Sequence, residues 1–249
     1  LADAGRLADE LARLDHADVA RMIGAWATWA APHQVPPAFA QGGGAWTTWL
    51  LIGGRGAGKT RAGAEWLRNI AIAARGADEK ERRLALVGET IGEVRDVMVE
   101  GASGLLAVHA PHERPLWHRS LRKLEWANGA LAFAFSAEDP ESLRGPQFHG
   151  AWADELAKWR HAEATFDMLQ FGLRLGERPR QVITTTPRPI PLLKRLIADP
   201  SAAVTRATTR HNALNLAPDF LRTILARYAG TRLGRQEIEG EIIEERADA

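Results

Sequence analysis

The eight residues Gly53-Gly54-Arg55-Gly56-Ala57-Gly58-Lys59-Thr60 restrict what this chain can fold into more than any other stretch. They follow the apolar run TTWLLI and precede RAGAEWLRNIAIA, in which Gly63, Trp66, Leu67, Ile70 and Ala71 share one helical face. A strand, a glycine-rich turn ending in Lys-Thr and a helix match the phosphate-loop pattern GxxxxGK[ST]. Glycines let successive backbone N–H groups point into one concavity, and the helix that follows adds the positive end of its dipole. The pattern places Gly53, Gly54, Gly56, Ala57 and Gly58 around a triphosphate and Lys59 on its β and γ phosphates. It makes the Thr60 hydroxyl a Mg²⁺ ligand, so ATP and Mg²⁺ are the expected ligands. A dinucleotide loop is disfavoured, because GxGxxG does not occur across the turn. Gly63 allows the helix to close on the sheet.

Such a loop needs a carboxylate at the end of a second apolar strand, and Ala151-Trp152-Ala153-Asp154-Glu155 supplies two. Asp154 is expected to hold Mg²⁺ through its water shell, and Glu155 to polarise the attacking water. A glutamate directly after the aspartate suggests a hydrolysis motor and argues against a GTPase. The run QVITTT is the candidate strand between the two motifs, with Thr184, Thr185 and Thr186 emerging beside the γ-phosphate or serving simply as β-formers.

The rest of the chain alternates strand and helix, which implies a three-layer α/β fold with a mostly parallel sheet. Residues 6–30 read as two short helices, and PHQVPPAFAQGGG as a connector. RRLALVGET reads as a strand and 92–108 as mostly helix. Asn128-Gly129 marks a tight hairpin in an inserted or edge position. HGAWADE, QVITTTP and 203–209 are further strands; 160–173, 191–197 and the tail from Pro218 are helices. At 249 residues, 45% hydrophobic and 25% charged, the composition is that of a soluble globular protein. The net charge of +1 means that any nucleic-acid surface is a local patch. The absence of cysteine excludes disulfides and thiolate metal sites, and His109, His112 and His118 lack a second ligand type at convincing spacing for zinc. No membrane span or signal peptide is expected.

The stretches GGRGAGKTRAGAEW, GETIGEVRDVMVEGASGLL, SLRGPQFHGAWADELAKW and TTTPRPIP, in this order and spacing, resemble the large terminase subunit of tailed phages and phage-like gene transfer agents. The resemblance runs over most of residues 30–245. It implies an additional-strand phosphate-loop ATPase that pumps double-stranded DNA into a procapsid. It divides the chain into N-terminal helices and connector (1–45), ATPase core (46–210) and C-terminal lid segment (211–249). The family's nuclease is expected to lie beyond Ala249, so DNA cleavage is not expected of this chain. The implied partners are double-stranded DNA, the portal protein, the small terminase subunit and further copies in a ring, usually a pentamer, in the cytoplasm of a bacterial host.

Carried over position by position, the resemblance makes Arg55 a cis arginine on the γ-phosphate and Arg95 a trans arginine finger. Gln34 becomes the reader of adenine, with Trp46 or Trp49 stacking on the base or packing in the core. Arg144 becomes a nucleotide sensor or DNA contact, and Thr184 to Thr186 the motif coupling hydrolysis to lid movement. Arg119, Arg122, Lys123, Arg188, Lys194 and Arg195 are candidate phosphate contacts on DNA or a solvated face. Two other classes fit the residues less fully: a helicase or remodelling ATPase, and a nucleotide-gated assembly module with incidental turnover.

Overall fold

A computed structural model of the chain describes Asp15, 25–73 and 82–243. Its eight strands are β1 Thr48–Gly53, β2 Arg83–Gly88, β3 Leu116–His118, β4 Lys123–Glu125, β5 Leu131–Ser136, β6 Gly150–Asp154, β7 Arg180–Thr185 and β8 Ala202–Ala207. They form one sheet in the order β3-β4-β5-β2-β6-β7-β1-β8. The six strands from β5 to β8 are parallel, and β3 and β4 add an antiparallel edge. Five helices matter below: α1 Lys59–Ile72, α2 Ala162–Gly172, α3 Pro191–Ala198, α4 Pro218–Tyr228 and α5 Arg232–Glu237.

The central strands are apolar throughout because both of their faces are covered. All six residues of β1 are buried. Trp49 and Leu51 face a core completed by Ala62, Ala64, Trp66 and Leu67 of α1, whereas Leu50 and Ile52 face Leu169 of α2 and Leu192, Leu193 and Leu196 of α3. This two-residue alternation against helices on each side is the three-layer architecture expected from the sequence. Gly63 sets how closely α1 lies on the sheet: a Cβ there would stand 2.4 Å from the Trp152 indole.

Several expectations need correction or fall elsewhere. The segment 92–108 is mostly helix, as expected, but it is neither continuous nor all α. One α-turn (Ile91–Glu93) runs into a π-helical turn (Val94–Val99), and helix resumes only at Leu105–Val108. The break falls at Gly101 and Gly104, where Cβ atoms would meet the carbonyls of Val97 and its neighbours at 2.6 and 2.8 Å. The Asn128-Gly129 turn does join β4 to β5, with Gly129 at φ 88°. The two N-terminal helices lie mostly outside the described residues, where only the short helix Trp26–Trp29 belongs to that region. Among the described residues no helix is long and apolar enough to cross a membrane.

Candidate functional site

The order β6-β7-β1 places one strand between the phosphate-loop strand and the carboxylate strand, as an additional-strand ATPase requires. In an open parallel sheet, ligands collect at the C-terminal ends of strands, and here β1 delivers the loop 54–58, β6 delivers Asp154 and Glu155, and β7 delivers Thr184 to Thr186. A cavity of about 900 Å³ opens over these ends, lined by the loop, Glu155 and Thr186. A smaller cleft of about 200 Å³ brings Thr60, Asp154 and Glu155 together.

Lys59 is buried, and its ammonium donates to the carbonyls of Gly53 (3.1 Å) and Gly54 (3.2 Å) while standing 3.5 Å from Glu155. Gly58, at φ 81°, is the N-cap of α1, a left-handed position that favours glycine. The outer side of the loop is held by groups distant in sequence. The hydroxyl of Thr209 donates to Arg55 O (2.7 Å) and the amide of Asn212 to Gly56 O (2.8 Å). The His33 ring bonds Ala57 O (2.8 Å) and the Gln34 amide donates to Gly58 O (3.1 Å). Residues 237–238 press on the loop from the same side, with the Arg55 N–H donating to Glu237 O; a Cβ on Gly54 would meet Ile238 O at 2.5 Å.

The two carboxylates differ sharply. Asp154 is buried, accepts a hydrogen bond from the Thr184 hydroxyl, and is pushed up to about 7 by burial and then by the adjacent Glu155 charge. Thr184 in turn accepts from the Trp152 indole N–H at 2.9 Å. Burial also acts on Glu155, but Lys59 and two hydrogen bonds from Thr186 outweigh it and hold this carboxyl below its ordinary value. Those bonds come from the Thr186 N–H (3.0 Å) and hydroxyl (2.8 Å). Glu155 sits at φ 52°, left-handed backbone that costs a non-glycine residue about 1 kcal/mol. The strained turn sends its side chain to Lys59 and Thr186. Thr185 completes the motif by accepting from Ala157 N–H at 3.0 Å, which fixes the turn after β6.

The donor set suits Mg²⁺. Thr60 and Asp154 offer only hard oxygens, and a magnesium ion bound with a triphosphate takes one or two protein ligands and keeps waters. A carboxylate buried at the mouth of a cleft and raised by desolvation is a group whose charged form a divalent cation would stabilise. Among the described residues no cluster of three or more histidines and carboxylates is present.

The arginines are placed differently. Arg55 lines the large cavity but is 77% exposed, with its guanidinium 3.6 Å from Glu237. Arg95 lies on the π-helical turn and pairs with Asp96 at 2.6 Å; Asp96, not Arg95, lines the cavity. Arg144 pairs with Glu141 and lies outside the cavity lining. Gln34 reaches the site, but its amide is engaged by Gly58 O and its oxygen by Ala31 N–H. Trp46 and Trp49 are core residues: Trp49 is fully buried and donates to Thr205, and Trp46 packs on Trp66 and Arg180. Trp26 and Trp29 line the cavity instead. Of the candidate DNA contacts, Arg119, Lys123 and Arg195 pair with Glu100, Glu125 and Glu163, and Arg188 opens into the nucleotide-sized cavity. Sequence reasoning missed His33, Thr209, Asn212 and Lys158, the last of which lines both cavities and stands 3.4 Å from Glu93.

Residues 50–249 match the family model for the terminase large subunit, T4likevirus-type, N-terminal. No curated protein matches. Among solved structures, the large terminase of a thermophilic bacteriophage in complex with ADP superposes with a TM-score of 0.66 at 17% identity, over 89% of this chain and 52% of that one. The large terminase ATPase domain of Thermus phage P74-26 gives 0.59 at 14% identity, over 80% and 90%. The HK97 bacteriophage large terminase gives 0.54 at 14%, over 81% and 47%. This chain thus spans about half the length of the thermophilic phage protein.

Proposed function

This chain belongs to the terminase large subunits of the T4-like type, and from that premise we propose that it is a Mg²⁺-dependent ATPase motor domain that drives double-stranded DNA into a procapsid. One observation carries the proposal: Lys59, Thr60, Asp154 and Glu155, which come from two motifs about 95 residues apart, meet at the ends of β1 and β6 with β7 between them. The fold likeness to the thermophilic phage terminase, which has been seen with ADP and with ATP-gamma-S, supports a nucleoside di- or triphosphate as the occupant.

The loop N–H groups and Lys59 would bind the phosphates, and Thr60 and Asp154 would hold Mg²⁺. Bound there, the metal would draw charge from the phosphate oxygens. Glu155, ionised and fixed by Thr186, would accept a proton from the attacking water. Arg55 in cis and Arg95 from a neighbouring copy would offset the charge that develops on the transferred phosphoryl group. Thr184 bonds Asp154 and Thr186 bonds Glu155, so a change at the γ-phosphate would be felt at the end of β7. The portal protein, the small terminase subunit and a ring of copies, usually five, would be its partners in the cytoplasm of a bacterial host. Gln34 would contact adenine only through the hydrogen-bonding capacity left by its two loop bonds.

The test is phosphate release from ATP by this chain with and without Mg²⁺ and double-stranded DNA, with Lys59→Ala as control. Mg²⁺-dependent turnover that DNA stimulates and the substitution abolishes is expected. Absence of turnover under all conditions, or turnover indifferent to Lys59→Ala, would overturn the proposal.

A further inference from the structure

Four consecutive carbonyls of the phosphate loop, those of residues 55 to 58, each accept a side-chain hydrogen bond, and every donor lies outside the loop. Thr209 and Asn212 belong to the 3₁₀ segment Thr209–Asn215, more than 150 residues away, while His33 and Gln34 lie in the short turn Pro32–Gln34. The two holders touch each other, with the His33 and His211 rings 5.6 Å apart. Asn212 is itself fixed, its side-chain oxygen accepting from the Asn215 amide at 2.8 Å.

The carbonyl and N–H of one planar trans peptide unit point in opposite directions. Anchoring the carbonyl of residue i on the outside of the loop therefore turns the N–H of residue i+1 inward. Holding the carbonyls of 55, 57 and 58 in this way aims the N–H groups of Gly56, Gly58 and Lys59 at the concavity, the donors that a phosphate needs. A glycine-rich loop has many other conformations open to it, and ordering it only upon binding would lower affinity.

We propose that Thr209, Asn212 and His33 are positioning residues that preset the N–H cradle, so that affinity for a nucleoside phosphate depends on the docking of residues 209–215 against the loop. The inference rests on the reading of this loop as a nucleotide site and adds the means by which the lid segment senses it. Coupling of two binding events is reciprocal: if docking of 209–215 tightens phosphate binding, phosphate binding tightens that docking by the same factor. Departure of the nucleoside diphosphate that remains after hydrolysis then loosens the segment that leads into α4 and α5, which gives a direct route from the cradle to lid movement.

ADP titrations and hydrogen exchange over residues 209–215 test this on the wild-type chain and on Thr209→Val, Thr209→Ser and Asn212→Leu. Thr209→Val and Asn212→Leu keep the side-chain shape and remove the donor, and each is expected to weaken ADP binding about tenfold, the worth of one lost hydrogen bond in this setting. Thr209→Ser restores the hydroxyl and is expected to bind as the wild type does. In the wild-type chain ADP is expected to slow exchange at 209–215, an effect that a merely structural role would not produce. Unchanged ADP affinity in both donor-less variants overturns the inference. So does wild-type ADP binding without slowed exchange at 209–215, a result that needs no variant to fold. Failure of the wild-type chain to bind ADP at all would instead overturn the nucleotide-site reading on which the inference rests.

Discussion

Every carbonyl from Gly53 to Gly58 carries a hydrogen bond, whereas the guanidinium groups of Arg55, Arg95 and Arg144 are 77%, 51% and 70% exposed and paired with nearby carboxylates. The first region is held from outside: its donors are buried and each fixes a loop carbonyl. The second is built for exchange of partners, because surface ion pairs contribute roughly 0–1 kcal/mol each and an arginine can leave one at little cost. On the proposed reading, binding of phosphate would belong to the resting fold, and neutralisation of the charge formed in hydrolysis to a rearrangement or to a neighbouring copy.

The contrast breaks most visibly at Lys59. Lys59→Ala is expected to weaken ATP binding at least about 10²-fold, since the buried ammonium that would meet the phosphate oxygens is lost; calorimetry that returned wild-type affinity would show that the loop is not the phosphate site. Next comes the buried framework beside the loop helix. His109 bonds Leu105 O through Nδ1 and accepts from the Trp126 indole through Nε2, so a second ring proton would face an N–H. Burial holds its pKa near 4 against 6.5 in the open chain. The unfolded chain binds the extra proton first, so the His109 contribution to stability falls as pH drops from about 7 to about 4 and levels below that, by on the order of 3 kcal/mol, while the raised Asp154 acts in the opposite direction over the same range. The difference in urea midpoint between wild type and His109→Gln isolates the His109 part, and it should shift against wild type as pH falls through this range; a pH-independent difference would contradict it.

Gly63→Ala is expected to cost about 2 kcal/mol, because the added methyl meets Trp152, which holds Thr184. A melting temperature equal to wild type would mean that α1 can lift from the sheet freely. The exposed side should respond least. Arg144→Ala is expected to change stability by less than about 0.5 kcal/mol, and Arg95→Ala to lower turnover only at concentrations where copies assemble. An equal loss in dilute and concentrated protein would assign Arg95 to its own site.

Features encoded within a few residues were legible in the sequence. The phosphate loop, the Asp154-Glu155 pair, the QVITTT run that forms most of β7 and the Asn128-Gly129 turn each announce themselves through local pattern, and the strand order then places β7 between β6 and β1 as the motif pair demands. Of the four outer holders of the loop only Gln34 was singled out in the sequence, and for a different role. Thr209, Asn212 and His33 are ordinary polar residues in irregular segments, and only the closure of the fold brings them to the loop carbonyls across separations of 24 to 156 residues. The tryptophans misled for a related reason. Trp46 precedes the loop strand and Trp49 lies within it, but alternation turns Trp49 into the core, and the cavity wall comes from Trp26 and Trp29. In 92–108, apolar spacing suggested helix, while Gly101 and Gly104 ended it by letting backbone approach backbone.

The most direct measurement is ATP affinity and ATP turnover side by side in wild type and Glu155→Gln. Glu155 is the ionised, Thr186-anchored carboxylate opposite Lys59. The expected result is affinity within about threefold of wild type and turnover reduced at least about 10²-fold, the loss of a general base from an otherwise intact cradle. Turnover near the wild-type rate would contradict the assignment of Glu155 as the residue that activates water.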